Sequence, residues 1–161
     1  MSDFFFPTLL TVAALKPWVI RTVWKTGETL DVDLANIIKR KAFSEIRQAD
    51  VFPLVHIQNG SIEWFDTELG ADNVYAWAKE QLGEVSHEMF DSWITRNDLS
   101  LTTAAAALGI SRRMVSYYRT ATKPIPRAIW LACLGWEITK PTHSLPRELP
   151  SARDYAALRT A

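Results

Sequence analysis

Cysteine is nearly missing: Cys133 stands alone among 161 residues. No internal disulfide can form, which fits a reducing compartment. Long apolar runs are missing too. No stretch approaches the roughly 18 residues of a membrane span, so a cytoplasmic protein with no membrane partner is expected. The apolar start MSDFFFPTLLTVAAL carries Asp3 in place of a basic cluster and is broken by Pro7, unlike a secretion signal. Gly60, Gly70 and Gly83 stand apart and build no phosphate loop. His56, His87 and His143 are far from one another and from any cysteine at ligand spacing, so neither a metal nor another cofactor is expected. Asp31 and Asp33 share one face of an expected strand, but beside a turn they read as solvated residues and not as a general acid and base. With no catalytic constellation, the chain is not expected to be an enzyme.

Net charge is also missing, with 18 Lys and Arg against 18 Asp and Glu. Its distribution is uneven. Residues 1–85 hold 8 basic and 12 acidic side chains, whereas residues 86–161 hold 10 and 6. Nothing acidic occurs from Leu99 to Trp136, yet Arg112, Arg113, Arg119, Lys123 and Arg127 all fall there. Such asymmetry points to a polyanionic partner. Hydrophobic residues at 48% and charged residues at 22% match ordinary globular proteins, so a buried core is expected.

What is present divides the chain in two. Leu9 to Leu15, Trp18 to Trp24 and Thr29 to Leu34 are rich in β-branched, aromatic and alternating apolar residues, with Lys25-Thr26-Gly27-Glu28 as a turn. Ala35 to Ile46 is predicted helical. Phe52 to Ile57 and Ile62 to Phe65 flank Gln58-Asn59-Gly60-Ser61, where Asn-Gly is the strongest short hairpin signal. Asp72 to Leu82 is predicted as a helix ended by Gly83. Trp18, Trp24, Trp64 and Trp77 are read as core in preference to a ligand pocket.

Three segments carry a resemblance: GETLDVDL (Gly27 to Leu34), AFSEI (Ala42 to Ile46) and VFPLVHIQNGSIEWFDTELGADNVYAWA (Val51 to Ala78). In this order and spacing the half resembles the family known as domain of unknown function 2442. The resemblance implies no established activity, and makes a protein-binding role conceivable.

Helices are predicted over Ser86 to Asn97, Thr102 to Leu108, Ser111 to Tyr118 and Arg127 to Trp136, the last apolar on nearly every side and therefore central to a bundle. Lys140 to Pro150 holds three prolines and reads as an extended linker. Ser151 to Arg159 opens with a Ser-x-x-Asp cap pattern, and its helix packs on its own domain or on a partner subunit.

The stretch TTAAAALGISRRMVSYYR, Thr102 to Arg119, meets the demands of two short helices crossing at close range. Ala104 and Ala105 let the backbones approach, Gly109 supplies a left-handed turn, and Leu108, Ile110, Val115 and Tyr118 face inward. Ser111 caps the second helix. Arg112, Arg113, Ser116, Tyr117 and Arg119 are left outward. Residues 86–136 resemble the helix-turn-helix of phage-repressor type, in which the second helix enters the major groove. Arg119 departs from that pattern, which often has an acidic or amide residue there.

The resulting expectation is an α+β protein: a small N-terminal β-hairpin and helix domain over 1–84, then an all-α, lambda-repressor-like helix-turn-helix domain over 85–161. Its function would be sequence-specific duplex DNA binding in transcription regulation, as a homodimer, with a protein partner engaged through the first domain. The DNA-binding residues would be Ser111, Arg112, Arg113, Ser116, Tyr117, Arg119, Lys123 and Arg127. Arg112 and Arg113 would take guanine edges or phosphates; Ser116 and Tyr117 would add hydrogen bonds; Arg119, Lys123 and Arg127 would neutralise backbone charge. The alternative is a protein-binding adaptor or antitoxin-like module whose helices do not contact DNA.

Overall fold

A computed structural model describes residues 5–140. The linker and tail helix expected beyond Lys140 lie outside the described residues. Alternating burial makes the first strands: β1 (Leu9–Lys16), β2 (Val19–Trp24) and β3 (Thr29–Asp33) form an antiparallel sheet in that order. In β3, Leu30 and Val32 turn inward while Asp31 and Asp33 stay exposed. Asp31 faces Arg21 across the sheet in a 2.7 Å ion pair. A second antiparallel sheet follows, from β4 (His56–Gln58), β5 (Ser61–Trp64) and β6 (Thr67–Leu69). Its first turn uses positive φ at Asn59 and Gly60 (51° and 83°), as an Asn-Gly hairpin requires.

Among the described residues, five α-helices come after the strands: α1 (Ala71–Gln81), α2 (His87–Arg96), α3 (Leu101–Leu108), α4 (Arg112–Arg119) and α5 (Arg127–Thr139). Helix α1 packs against β3. At the end of α1 the Gln81 side-chain amide donates to the Asp33 carbonyl and accepts from the Asp33 N–H, both at 2.8 Å, and so closes part of the β3 edge.

This arrangement corrects the expected architecture. The N-terminal part is not a small hairpin-and-helix domain followed by an all-α domain; it is a β-rich region of two three-stranded sheets, strands 9–69, and the helical series 71–139 already begins with α1. The helix expected over 35–46 is a run of turns and 3-10 segments at Lys41–Phe43 and Glu45–Arg47. Ile37 and Ile46 are both buried. They are nine positions apart, and at about 100° per residue a continuous helix would place them on opposite faces. Successive i to i+3 bonds, such as Arg40 N to Ile37 O (3.1 Å) and Phe43 N to Arg40 O (3.0 Å), let both reach the core.

That core gathers Ile20, Trp24, Val32, Ile62, Trp64 and Val74 with their neighbours. A second cluster lies among α2 to α5, around Phe90, Trp93, Ala104, Val115 and Cys133. The expectation for α5 is corrected as well: only Cys133 of this helix is buried, so α5 lies at the side of its cluster and not at the centre. Trp93 ties it there by donating from Nε1 to the Cys133 carbonyl (2.9 Å).

The sheets and the helical series meet at Glu28, in the turn entering β3. Its carboxylate accepts from Lys79 Nζ (2.6 Å) and the Tyr75 hydroxyl (2.7 Å), both on α1, and Lys79 also pairs with Glu84 at 2.8 Å. Burial pushes the Glu28 carboxyl up, but the hydrogen bonds from Lys79, Tyr75 and Thr26 outweigh it and hold it below the usual carboxylate range. A carboxyl lowered in the folded state stabilises it above the ordinary carboxylate pKa, and this contribution is lost as pH falls through the lowered value.

Glu28→Gln is therefore expected to cost about 1 kcal/mol at neutral pH, after discounting for the exposure of the pair, and to flatten the acid side of the stability curve in urea unfolding at stepped pH. Buried Thr22 accepts from Trp24 Nε1 at 2.9 Å. Thr22→Val keeps the shape and strands that N–H, so urea unfolding is expected to register a loss of about 1–3 kcal/mol.

Candidate nucleic-acid interface

Two short helices pack together here, and the second, α4, carries Arg112, Arg113 and Arg119. Helix α3 starts at a reciprocal cap, in which Ser100 Oγ accepts from the Thr103 N–H while Thr103 Oγ1 accepts from the Ser100 N–H. It ends on Gly109, whose φ of 67° is left-handed. Ser111 then caps α4 by accepting from the Met114 N–H at 3.2 Å. Ala104 and Ala105 are buried where α3 meets α4. Val115 and Tyr118 form the buried face of α4, and the Tyr118 ring meets Phe90 edge-on at 5.5 Å. Leu108 and Ile110 pack on the same cluster.

The opposite face carries the charge. Arg112 and Arg113 are exposed, and Ser116 and Tyr117 are partly exposed. Tyr117 organises two cations. Arg113 Nε donates to its hydroxyl, and the guanidinium lies 5.2 Å from the ring centroid. Lys123 Nζ lies 5.4 Å from the same centroid. Arg112 and Arg127 are exposed and have no side-chain partner among the described residues.

Arg119 sits differently. It is half-buried, and its Nε donates to Asp91 of α2 at 2.7 Å, so its charge holds α4 to α2. The structure thus brings Arg112, Arg113, Ser116, Tyr117 and Lys123 onto or beside the outer side of α4, with Ser111 at its head. Arg127 opens α5 across the Lys123–Pro126 loop. Sequence reasoning missed the Asp91 partnership and the role of Tyr117 as a platform. The i to i+4 spacing of Arg113 and Tyr117 was the available signal for the latter.

The far end of α4 is also held from the sheets. Phe6 N donates to the Thr120 carbonyl at 2.8 Å, and Phe5 packs edge-on against Trp24 (5.9 Å). A cleft of about 430 Å³ opens at this junction, with Glu28, Lys79, His87, Tyr118 and Lys123 in its walls. Burial lowers the His87 pKa, and its Nδ1 has no hydrogen-bond partner among the described residues. Among the described residues, no group of three or more His, Cys, Asp and Glu is placed to hold a metal ion, and no helix is long and apolar enough to cross a membrane.

No protein-family model matches the chain, and no curated protein matches it. It is similar to a solved protein of Nitrosomonas europaea ATCC 19718 called "Putative DNA Binding Protein NE0471". The two are 63% identical, and they align with a TM-score of 0.85 over 94% of this chain and 100% of that one.

At Gly109 an added Cβ would meet nothing within 4 Å, so a substitution there is opposed by backbone conformation alone. Gly109→Ala is expected to destabilise by about 1–2 kcal/mol in thermal or urea unfolding. Gly109→Asn is expected to lose less, since asparagine tolerates the left-handed region.

Proposed function

This chain belongs to the same family as the Nitrosomonas europaea protein NE0471, and from that premise we propose that it binds DNA. In this reading α3 and α4 act as a helix-turn-helix pair, akin to the phage-repressor type, and α4 enters the major groove of duplex DNA. The observation that carries it is the division of α4 into two faces: Val115 and Tyr118 buried, Arg112 and Arg113 exposed and adjacent near its N-terminal end. A helix presented in this manner reaches base edges with its early residues.

Each outward residue then has a role. Arg112 and Arg113 take guanine O6 and N7 or the flanking phosphates, and a bidentate base contact discriminates by about 1–3 kcal/mol. Ser111 and Ser116 add hydrogen bonds, and Tyr117 holds Arg113 and Lys123 in place. Lys123 and Arg127 neutralise phosphates, each contributing nearly one unit to the salt slope. Arg119 contributes through its pair with Asp91, by fixing how α4 sits.

The biological role that fits is sequence-specific transcription regulation in the cytoplasm by a homodimer, which matches two-fold half-sites. The role is one of binding, without catalysis. The β-rich region, with its motifs similar to domain of unknown function 2442, engages a protein partner.

Selection from a random duplex library at two salt concentrations is expected to enrich a motif whose affinity falls steeply with salt. Arg112→Ala/Arg113→Ala is expected to lower affinity for it more than about tenfold and to erase the preference. Unchanged affinity and preference would remove α4 from the interface. No enriched motif, together with a stoichiometric protein partner in pull-down, would favour the adaptor reading.

A further inference from the structure

The tight turn from β1 to β2 holds a residue that its backbone disfavours. Lys16 pairs with Val19, so Pro17 and Trp18 are the two central residues of the turn. Trp18 takes a left-handed φ of 68°. Proline first and positive φ second is the type II pattern, which suits glycine or asparagine at the second place. A bulky aromatic residue is strained there. Packing on Phe52, edge-on at 5.3 Å, holds the ring. Its N–H is left over. Trp24, Trp64 and Trp93 donate from Nε1 to Thr22, to the Phe52 carbonyl and to the Cys133 carbonyl, whereas Trp18 Nε1 has no partner among the described residues.

Beside this ring lies a pocket of about 320 Å³, walled by Pro17, Trp18, Phe52 and Pro53 with Leu15 alongside. That volume suits one small ligand. Among the described residues, Lys16 is the one charged side chain in the wall, and it makes no ion pair there. Asp31, the acid that feels its charge, is committed to Arg21 by two bonds of 2.7 and 2.9 Å. Asp50, next to Ala49 of the wall, is exposed and not part of it. Two backbone acceptors of the wall are also taken: the Trp18 carbonyl accepts from the Leu34 N–H (2.7 Å), and the Phe52 carbonyl from Trp64 Nε1 (2.8 Å). The side chains of the pocket therefore offer two donors, on Trp18 and Lys16, and no acceptor.

We propose that this pocket binds a small aromatic carboxylic acid, its ring against Trp18, Phe52 and the two prolines, its carboxylate accepting from Trp18 Nε1 and Lys16 Nζ. A carboxylate only accepts, and so matches a wall that only donates. An amine would bring donors that no side chain of the pocket can receive, beside a cation that repels it. The flat faces of proline, indole and phenyl suit an aromatic body. The β-rich region then takes a small molecule of its own, and this site stands or falls independently of the DNA reading.

Titration of the isotope-labelled full chain with phenylacetate and with indoleacetate, read by NMR at the indole N–H peaks, tests this. The Trp18 peak, identified by its loss in Trp18→Phe, is expected to move saturably. Lys16→Gln, a change at an exposed side chain, is expected to weaken phenylacetate about threefold to fivefold and to leave uncharged phenylacetamide unaffected. Trp18→Gly relieves the turn and is expected to abolish binding, while the other indole peaks hold their positions and show an intact fold. Should that variant fail to fold, Lys16→Gln and the comparison of acid with amide still decide. A Trp18 peak that neither acid moves, up to its solubility, would overturn the proposal. Equal affinity for phenylacetate and phenylacetamide in the unsubstituted chain would overturn the choice of an acid, and undiminished binding by folded Trp18→Gly would place the ligand elsewhere.

Discussion

An eight-residue helix cannot hold itself in water, because too few hydrogen bonds repay the cost of starting it. Helix α4 therefore exists where Val115 and Tyr118 find burial, against Phe90 and the alanines of α3. That constraint sets everything the helix shows to solvent. Once positions 115 and 118 point inward, positions 112 and 113 can only lie at the exposed head of the helix, and 116 and 117 along its flank. The alanines matter because they are small: a bulky residue at 104 or 105 would separate the backbones and turn α4 about its own axis. Gly109 and Ser111 fix the two ends of the turn between the helices, one through left-handed φ and one through a capped amide.

Orientation of α4 is then secured from outside its own cluster. Asp91 grips Arg119 from α2, and the Phe6 N–H bonds the Thr120 carbonyl just after the helix ends. Phe5 continues that segment into the sheet core beside Trp24 and Tyr75. The Glu28, Lys79 and Glu84 network links β3, α1 and the connection to α2 through charge-assisted hydrogen bonds. The β-rich region is thus part of the frame that holds α4.

Local features were legible in the sequence, and non-local ones were not. The β1 to β3 pattern, the Asn59-Gly60 hairpin and the capped start of α4 each depend on residues a few positions apart, and each was found. So was the outward placement of Arg112 and Arg113. The stretch 35–46 misled because Ile37, Ile38 and Ile46 look periodic until the sheet core demands both ends at once. Strand β6 has only three residues, Thr67 to Leu69, too few to show alternation. Helix α5 looked central because its letters are apolar, and hydrophobicity alone does not tell a buried helix from one with an uncovered face. Arg119 was read as a solvent cation because its partner Asp91 lies 28 positions away.

Charge shows the same lesson in physical form. The acid-free stretch from Leu99 to Trp136 suggested a broad basic face, but an acid just before it reaches in: Asp91 takes Arg119 at 2.7 Å. What is left over is narrower than the count of basic residues, and better ordered. Long cationic side chains lose rotamer freedom when they are fixed on a partner. Tyr117 has met part of that cost for Arg113 and Lys123 by holding both against one ring before any partner arrives. A polyanion meeting this surface would find two cations already positioned, with Arg112 and Arg127 beside them able to adapt.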